Sequence, residues 1–118
     1  MKMKTVFDLE DRCFNFARDV RLFIKNIGSN LINVDDIKQL IKASGSIGAN
    51  YIEANDALGK KDFLMRLRIS RKEAKETEFW LRLIIECNEI ENYQEAKRLQ
   101  SEVRQLRNIL SAIIIKSN

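Results

Sequence analysis

Leu9-Glu10-Asp11-Arg12-Cys13-Phe14-Asn15-Phe16-Ala17-Arg18-Asp19-Val20-Arg21-Leu22-Phe23-Ile24-Lys25-Asn26-Ile27, closed by Gly28, is the stretch whose reading sets the fold class. Leu9, Cys13, Phe16, Val20, Phe23 and Ile27 recur at alternating steps of four and three. Side chains at that spacing lie along one stripe of an α-helix, the seam that a helix presents to a partner helix. The helix is read from about Asp8, with Asp8 as its N-cap and Asp11 in the positive first turn. Gly28-Ser29-Asn30 ends it, because glycine takes the left-handed conformation after a helix without a Cβ clash.

The same period recurs three more times. A second helix starts between Asn33 and Asp36, with a seam of Ile37, Leu40, Ser44, Ile47, Tyr51, Ala54 and Leu58. A third runs from about Lys60 to Asn88 on Phe63, Leu67, Ser70, Ala74, Thr77, Leu81 and Ile84. The fourth follows Asn92, with Leu99, Val103, Leu106, Leu110 and Ile113 inward. Short connections force successive helices to run antiparallel. The expectation is an all-α, up-down-up-down four-helix bundle occupying residues 1–118 as one domain.

The middle of helix two is unusually small: Ala43, Ser44, Gly45, Ser46, Gly48, Ala49. An interior glycine costs about 1 kcal/mol of helix propensity relative to alanine. Close approach of a neighbouring backbone at Gly45 and Gly48 would offset that cost; the rival reading is a break in the helix.

Composition narrows the function. The chain has no histidine, which removes the commonest general base, the His-assisted nucleophiles and the usual zinc ligand. Cys13 and Cys87 stand alone, without metal-ligand or redox spacing, and read as buried thiols in a reducing compartment. The basic start, Met1-Lys2-Met3-Lys4, lacks the apolar core of a signal peptide, and no apolar run is long enough to span a bilayer. The expectation is a cytoplasmic, non-enzymatic protein with no cofactor, metal or membrane association.

Glu53, Glu73 and Glu78 suggest a carboxylate cluster, and Ser44, Ser46 and Lys42 a serine–lysine pair. Without histidine, an Asp-rich loop or a glycine-rich phosphate cradle, the carboxylates are read as partners of Arg66, Arg71 or Asn50. The serines and lysine carry no catalytic signal.

Two features exceed the needs of a lone bundle. Phe79 and Leu83 lie four apart and off the seam of helix three, while Trp80 and Ile85 flank it. An outer apolar pair at that spacing marks an interface, so a homo-oligomer is expected. Second, residues 60–75 hold seven basic side chains against Asp62 and Glu73, a local charge of +5 in a chain whose net charge is +4. Lys61, Arg68, Lys75 and Arg82 repeat every seven residues, with Arg71 and Lys72 between them. Such a stripe is the electrostatic footprint for a phosphate backbone, RNA or DNA.

Three segments carry a family resemblance: Ser46-Ile47-Gly48-Ala49-Asn50-Tyr51-Ile52-Glu53-Ala54, Lys61-Asp62-Phe63 and Lys72-Glu73-Ala74-Lys75-Glu76-Thr77-Glu78-Phe79-Trp80-Leu81. The chain resembles the bacterial four-helix-bundle proteins encoded in intervening sequences of 23S rRNA genes. The likeness is close over helices two and three; helices one and four agree in pattern. It implies a homopentameric ring and no established enzymatic activity. One branch of that family comprises accessory proteins of diversity-generating retroelements, which bind nucleic acid through a basic surface. The motif positions that carry over are Ser46, Asn50, Glu53, Phe63, Glu73, Glu78 and Trp80, read as structural. Many members have glycine where this chain has Ala54, which places it in a subgroup.

Two functional readings follow. One is a homo-oligomeric bundle that binds RNA or a ribonucleoprotein through Lys61, Arg68, Arg71, Lys72, Lys75 and Arg82. The other is a structural or protein-binding module whose charges serve only solubility.

Overall fold

A computed structural model describes residues 4–118, with side chains from Leu9 onward. It contains α1 (Lys4–Ile27), α2 (Val34–Asn55), α3 (Lys60–Cys87) and α4 (Tyr93–Ser117), packed as an antiparallel four-helix bundle. At about 1.5 Å per residue α3 is about 42 Å long, which matches the 44 Å long axis of the molecule. Each helix touches its two neighbours in the cycle α1–α2–α3–α4–α1, so α1 lies diagonally across from α3.

The seam of α1 is buried from Leu9 to Phe23, with Ile24 added and Ile27 packed at its edge. The helix already runs from Lys4, so Asp8 is inside it rather than at its N-cap and Asp11 is beyond its first turn. Nothing in Thr5-Val6-Phe7 opposes helix, because a breaker would have to be glycine or proline. At the other end Gly28 has φ +75° and donates its N–H to Ile24 O at 3.1 Å, as the left-handed stop requires.

Three seam positions differ from the period. Leu64 is buried in place of Phe63, and Ile114 in place of Ile113; Phe63 and Ile113 pack at the rim of the core. Leu58 is fully exposed, because α2 stops at Asn55 and leaves it in the turn. Cys87 is exposed as well, at the last position of α3 and off its seam, whereas Cys13 is buried. Burial, reinforced by the negative field of Glu102, pushes the Cys13 thiol up to about 12 and keeps it inert.

α2 is one continuous helix through its small residues. A Cβ on Gly48 would lie 3.0 Å from Cys13 Cβ, so α1 packs directly against this glycine. At Gly45 the neighbour is a side-chain tip, Arg21 Nη2 at 3.2 Å, which donates to Ile41 O, and not a backbone. The extensive α2–α3 interface is pinned by the buried Ser70 hydroxyl, which donates to Ile47 O at 2.7 Å. The sparser α1–α4 seam is held by charge. Arg12 makes a two-pronged contact with Glu102 (2.8 and 3.0 Å), and Arg98 bridges Asp19 and Glu95.

Asn33 is the most consequential polar residue of the core. It is completely buried beside the first turn of α2, yet it makes no cap hydrogen bond. Its amide nitrogen donates to Gly28 O (3.1 Å) and to Asn88 Oδ1 (2.9 Å), and its Oδ1 accepts from Asn30 N (2.8 Å). The α1–α2 turn is thereby tied to the end of α3.

Candidate nucleic-acid interface

The outer face of α3 follows from helix geometry. Successive side chains turn about 100°, so steps of seven drift by about 20°. Lys61, Arg68, Lys72 and Lys75 fall near one line opposite the buried stripe Leu67–Ala74–Leu81, and all four are exposed. None of them enters a salt bridge among the described residues. They span about 21 Å along the helix.

The remaining two candidate cations depart from this line. Arg71 is half-buried on the side toward α4. Arg82 has drifted the same way and is paired with Glu86 at 3.0 Å, an exposed contact of little energetic weight that still offsets its charge. Arg104 of α4 lines a groove with Arg82 and extends the basic surface onto a second helix. The heptad count along α3 could not reveal it, since it belongs to another element.

Phe79 and Leu83 continue the outer line of cations on α3. Phe79 is 57% exposed and Leu83 half-buried, and the Phe79 ring meets Trp80 edge-on at 5.0 Å and 81°. Trp80 and Ile85 pack against the core. The outer face thus carries its cations over the first four turns, with Met65 exposed among them, and Phe79 and Leu83 over the next two. A second apolar surface is a groove of about 540 Å³ between α1 and α2, lined by Phe14, Leu22 and Ile52 over Gly48. These side chains sit one position off each seam, where the period alone does not say whether a neighbour covers them.

The motif positions have distinct surroundings. Asn50 donates to Ser46 O (2.9 Å) and accepts from Arg66 Nη1 (3.3 Å), linking α2 to α3. Ser46 donates to Lys42 O within its own helix. Glu78 lies 2.7 Å from Arg107 Nε on α4, an ion pair in which the N–H is not aimed at the carboxylate. The partner of Glu78 is therefore Arg107, not Arg66 or Arg71. Phe63 and Trp80 pack on the core, while Glu53 is exposed without a partner among the described residues. The carboxylates do not converge on one site.

Glu73, half-buried on α3, has its pKa raised, chiefly by burial and then by Glu76, with Lys72 and Lys42 opposing. A carboxyl raised in the fold holds its proton more tightly than the unfolded chain does. Its charged form therefore costs stability above the folded pKa, and the cost disappears as pH falls below the unfolded value. Among the described residues no cluster of His, Cys, Asp or Glu is arranged to hold a metal ion, and no helix is long and apolar enough to cross a membrane.

Comparison with known proteins places this arrangement. A family model described as 23S rRNA-intervening sequence protein matches residues 7–112. A crystal structure from Bacteroides thetaiotaomicron, described as a protein of unknown function from the S23 ribosomal protein family, is 33% identical with a TM-score of 0.78. The match covers 90% of this chain and 97% of that one. No curated protein matches.

Proposed function

Because the chain belongs to the family of 23S rRNA-intervening sequence proteins, we propose that it is a non-enzymatic, homo-oligomeric bundle that binds nucleic acid, RNA or a ribonucleoprotein, through the outer face of α3. The carrying observation is the line Lys61, Arg68, Lys72 and Lys75: exposed, collinear and free of ion-pair partners among the described residues. Such a line reads phosphate charge and not base edges, so binding is only weakly sequence-dependent.

Fluorescence anisotropy with a generic single-stranded RNA across a salt series tests this. Four phosphate contacts give a log–log salt slope of about −3. The Arg68→Glu/Lys72→Glu/Lys75→Glu variant is expected to lose most binding and to flatten that slope. Wild type that fails to bind at low salt, or a variant that binds equally well, would reduce the stripe to a solvated face.

The oligomer is assigned to the Phe79–Leu83 patch, with five as the number the family resemblance implies. Phe79→Glu is expected to dissociate the assembly and leave each bundle helical. Light scattering behind a sizing column checks it; a wild type at protomer mass at micromolar concentration rules the assembly out.

A further inference from the structure

Up-down-up-down topology puts the α1–α2 and α3–α4 turns at one end and the α2–α3 turn at the other. Residues 26–37 and 83–96, which build the first end, contain six carboxylates and no lysine or arginine, with Lys25, Lys38, Arg82 and Lys97 bordering them. Of these, Asp35, Asp36, Glu89 and Glu91 enter no salt bridge among the described residues. The opposite end carries Lys60 and Lys61 beside Glu53, Asp56 and Asp62, and leads into the cationic half of α3.

Each end also exposes apolar surface. At the acidic end Leu31 and Ile32 are 92% and 75% exposed, adjacent in a turn. They are held outward: Asn30 Oδ1 accepts from Ile32 N and Asn33 N, and Asn33 ties the turn to Asn88. A tip fixed this way loses little conformational entropy on docking. At the basic end Leu58, Met65 and Ile69 floor a shallow groove of about 900 Å³. Lys60, Lys61, Arg68 and Lys72 line it, against one carboxylate, Asp62.

We infer that the Leu31–Ile32 tip of one copy docks into the Leu58–Met65–Ile69 groove of another, with the tip's carboxylates facing the groove's lysines and arginine. The occupant is set by complementarity in two independent properties. A projecting apolar pair meets an apolar depression, and a tip flanked by Asp35 and Asp36 meets a rim dominated by cations. Tip against tip would place like charges together, as would groove against groove, so the contact joins unlike surfaces, the tip of one copy to the groove of another. It uses neither Phe79 nor Leu83 and is separate from the lateral assembly proposed above. It shares Lys61, Arg68 and Lys72 with the nucleic-acid face, so a bound phosphate backbone and a docked second copy exclude one another there.

The test is sedimentation velocity on the Phe79→Glu background, which removes the lateral contact. At low salt this protein is expected to associate with rising concentration, and at high salt to return to the 13.8 kDa protomer. A tip variant, Leu31→Ser/Ile32→Ser, keeps its groove; a groove variant, Lys61→Glu/Arg68→Glu, keeps its tip. All four sites are exposed, and circular dichroism confirms that the variants fold. Alone, each variant is expected to remain a protomer. Mixed in equal amounts they are expected to form a 1:1 dimer of twice the protomer mass and nothing larger, since each supplies one intact surface. A mixture without dimer, or a tip variant that still self-associates, overturns the inference. Association that is insensitive to salt and to both variants also overturns it, and counts against Phe79 as the lateral contact.

Discussion

Asn33→Ala is expected to destabilise the bundle by about 3 kcal/mol, because it breaks three part-buried hydrogen bonds at about 1 kcal/mol each. The side chain is wholly enclosed and makes three hydrogen bonds, to Gly28 O, Asn88 Oδ1 and Asn30 N. Removing one buried partner costs about 1–3 kcal/mol for each group left unsatisfied. The full desolvation penalty is not reached, since Gly28 and Asn30 are exposed and Asn88 is half-buried, so water can reach the groups left behind. Asn88→Ala should cost less, about 1 kcal/mol, for the same reason. Urea unfolding followed by circular dichroism measures both. A loss below about 1 kcal/mol for Asn33→Ala would mean that the turn relaxes and re-solvates its polar groups. Asn33→Asp is a sharper control. It keeps the acceptor for Asn30 N but sets a carboxylate oxygen against two other oxygens, and should do worse than alanine near neutral pH.

The second large effect is at Gly48, where Gly48→Leu is expected to cost about 3 kcal/mol by overpacking. The obstacle at 3.0 Å is Cys13 Cβ, an atom bonded directly to the α1 backbone that no rotamer change can move. Even Gly48→Ala must push α1 and α2 apart by tenths of an ångström, and the strain is expected to cancel or exceed the helix-propensity gain of about 1 kcal/mol. Gly45→Ala separates the two causes. There the added methyl meets only the Arg21 guanidinium, whose exposed hydrogen bonds to Ala17 O and Ile41 O can give by the few tenths of an ångström needed, so the propensity gain should survive and the melting temperature should rise. A raised melting temperature for Gly48→Ala would show that the helix contact yields more readily than close packing implies.

The two residues also mark where sequence reasoning succeeds and where it stops. Gly48 was visible as a cost inside a helix that something had to offset, and a packed α1 is that something. Gly45 carried the same signal, but its neighbour is a side-chain tip. In the linear chain Asn33 marks only the point from which a second helix can start. Its amide instead reaches Asn88, fifty-five positions away. Nothing local to either asparagine encodes that pairing, which exists only because two turns meet at one end of the bundle.

The candidate interface divides in the same way. The charge excess of residues 60–75 and the collinearity of Lys61, Arg68, Lys72 and Lys75 follow from composition and a fixed turn per residue. That Arg82 is engaged by Glu86 and that Arg104 joins it from α4 follow from neighbours in space. The seven-residue repeat drifts about 20° per step, enough over three steps to carry Arg82 off the outer line toward the next helix.

Helix number, order and inward stripes were legible in the linear chain because each depends on a short-range period that every segment repeats, and antiparallel order follows from connections too short for anything else. Exposure off the seam was not legible. Phe14, Leu22, Ile52 and Met65 stay in solvent while Trp80 and Ile85 are partly covered, although all lie beside a seam. Whether such a side chain is covered depends on the rotation of its helix about its own axis and on the distance to the neighbour. Those quantities come from how all four helices interlock around small contacts such as Gly48 against Cys13, and no single helix contains them.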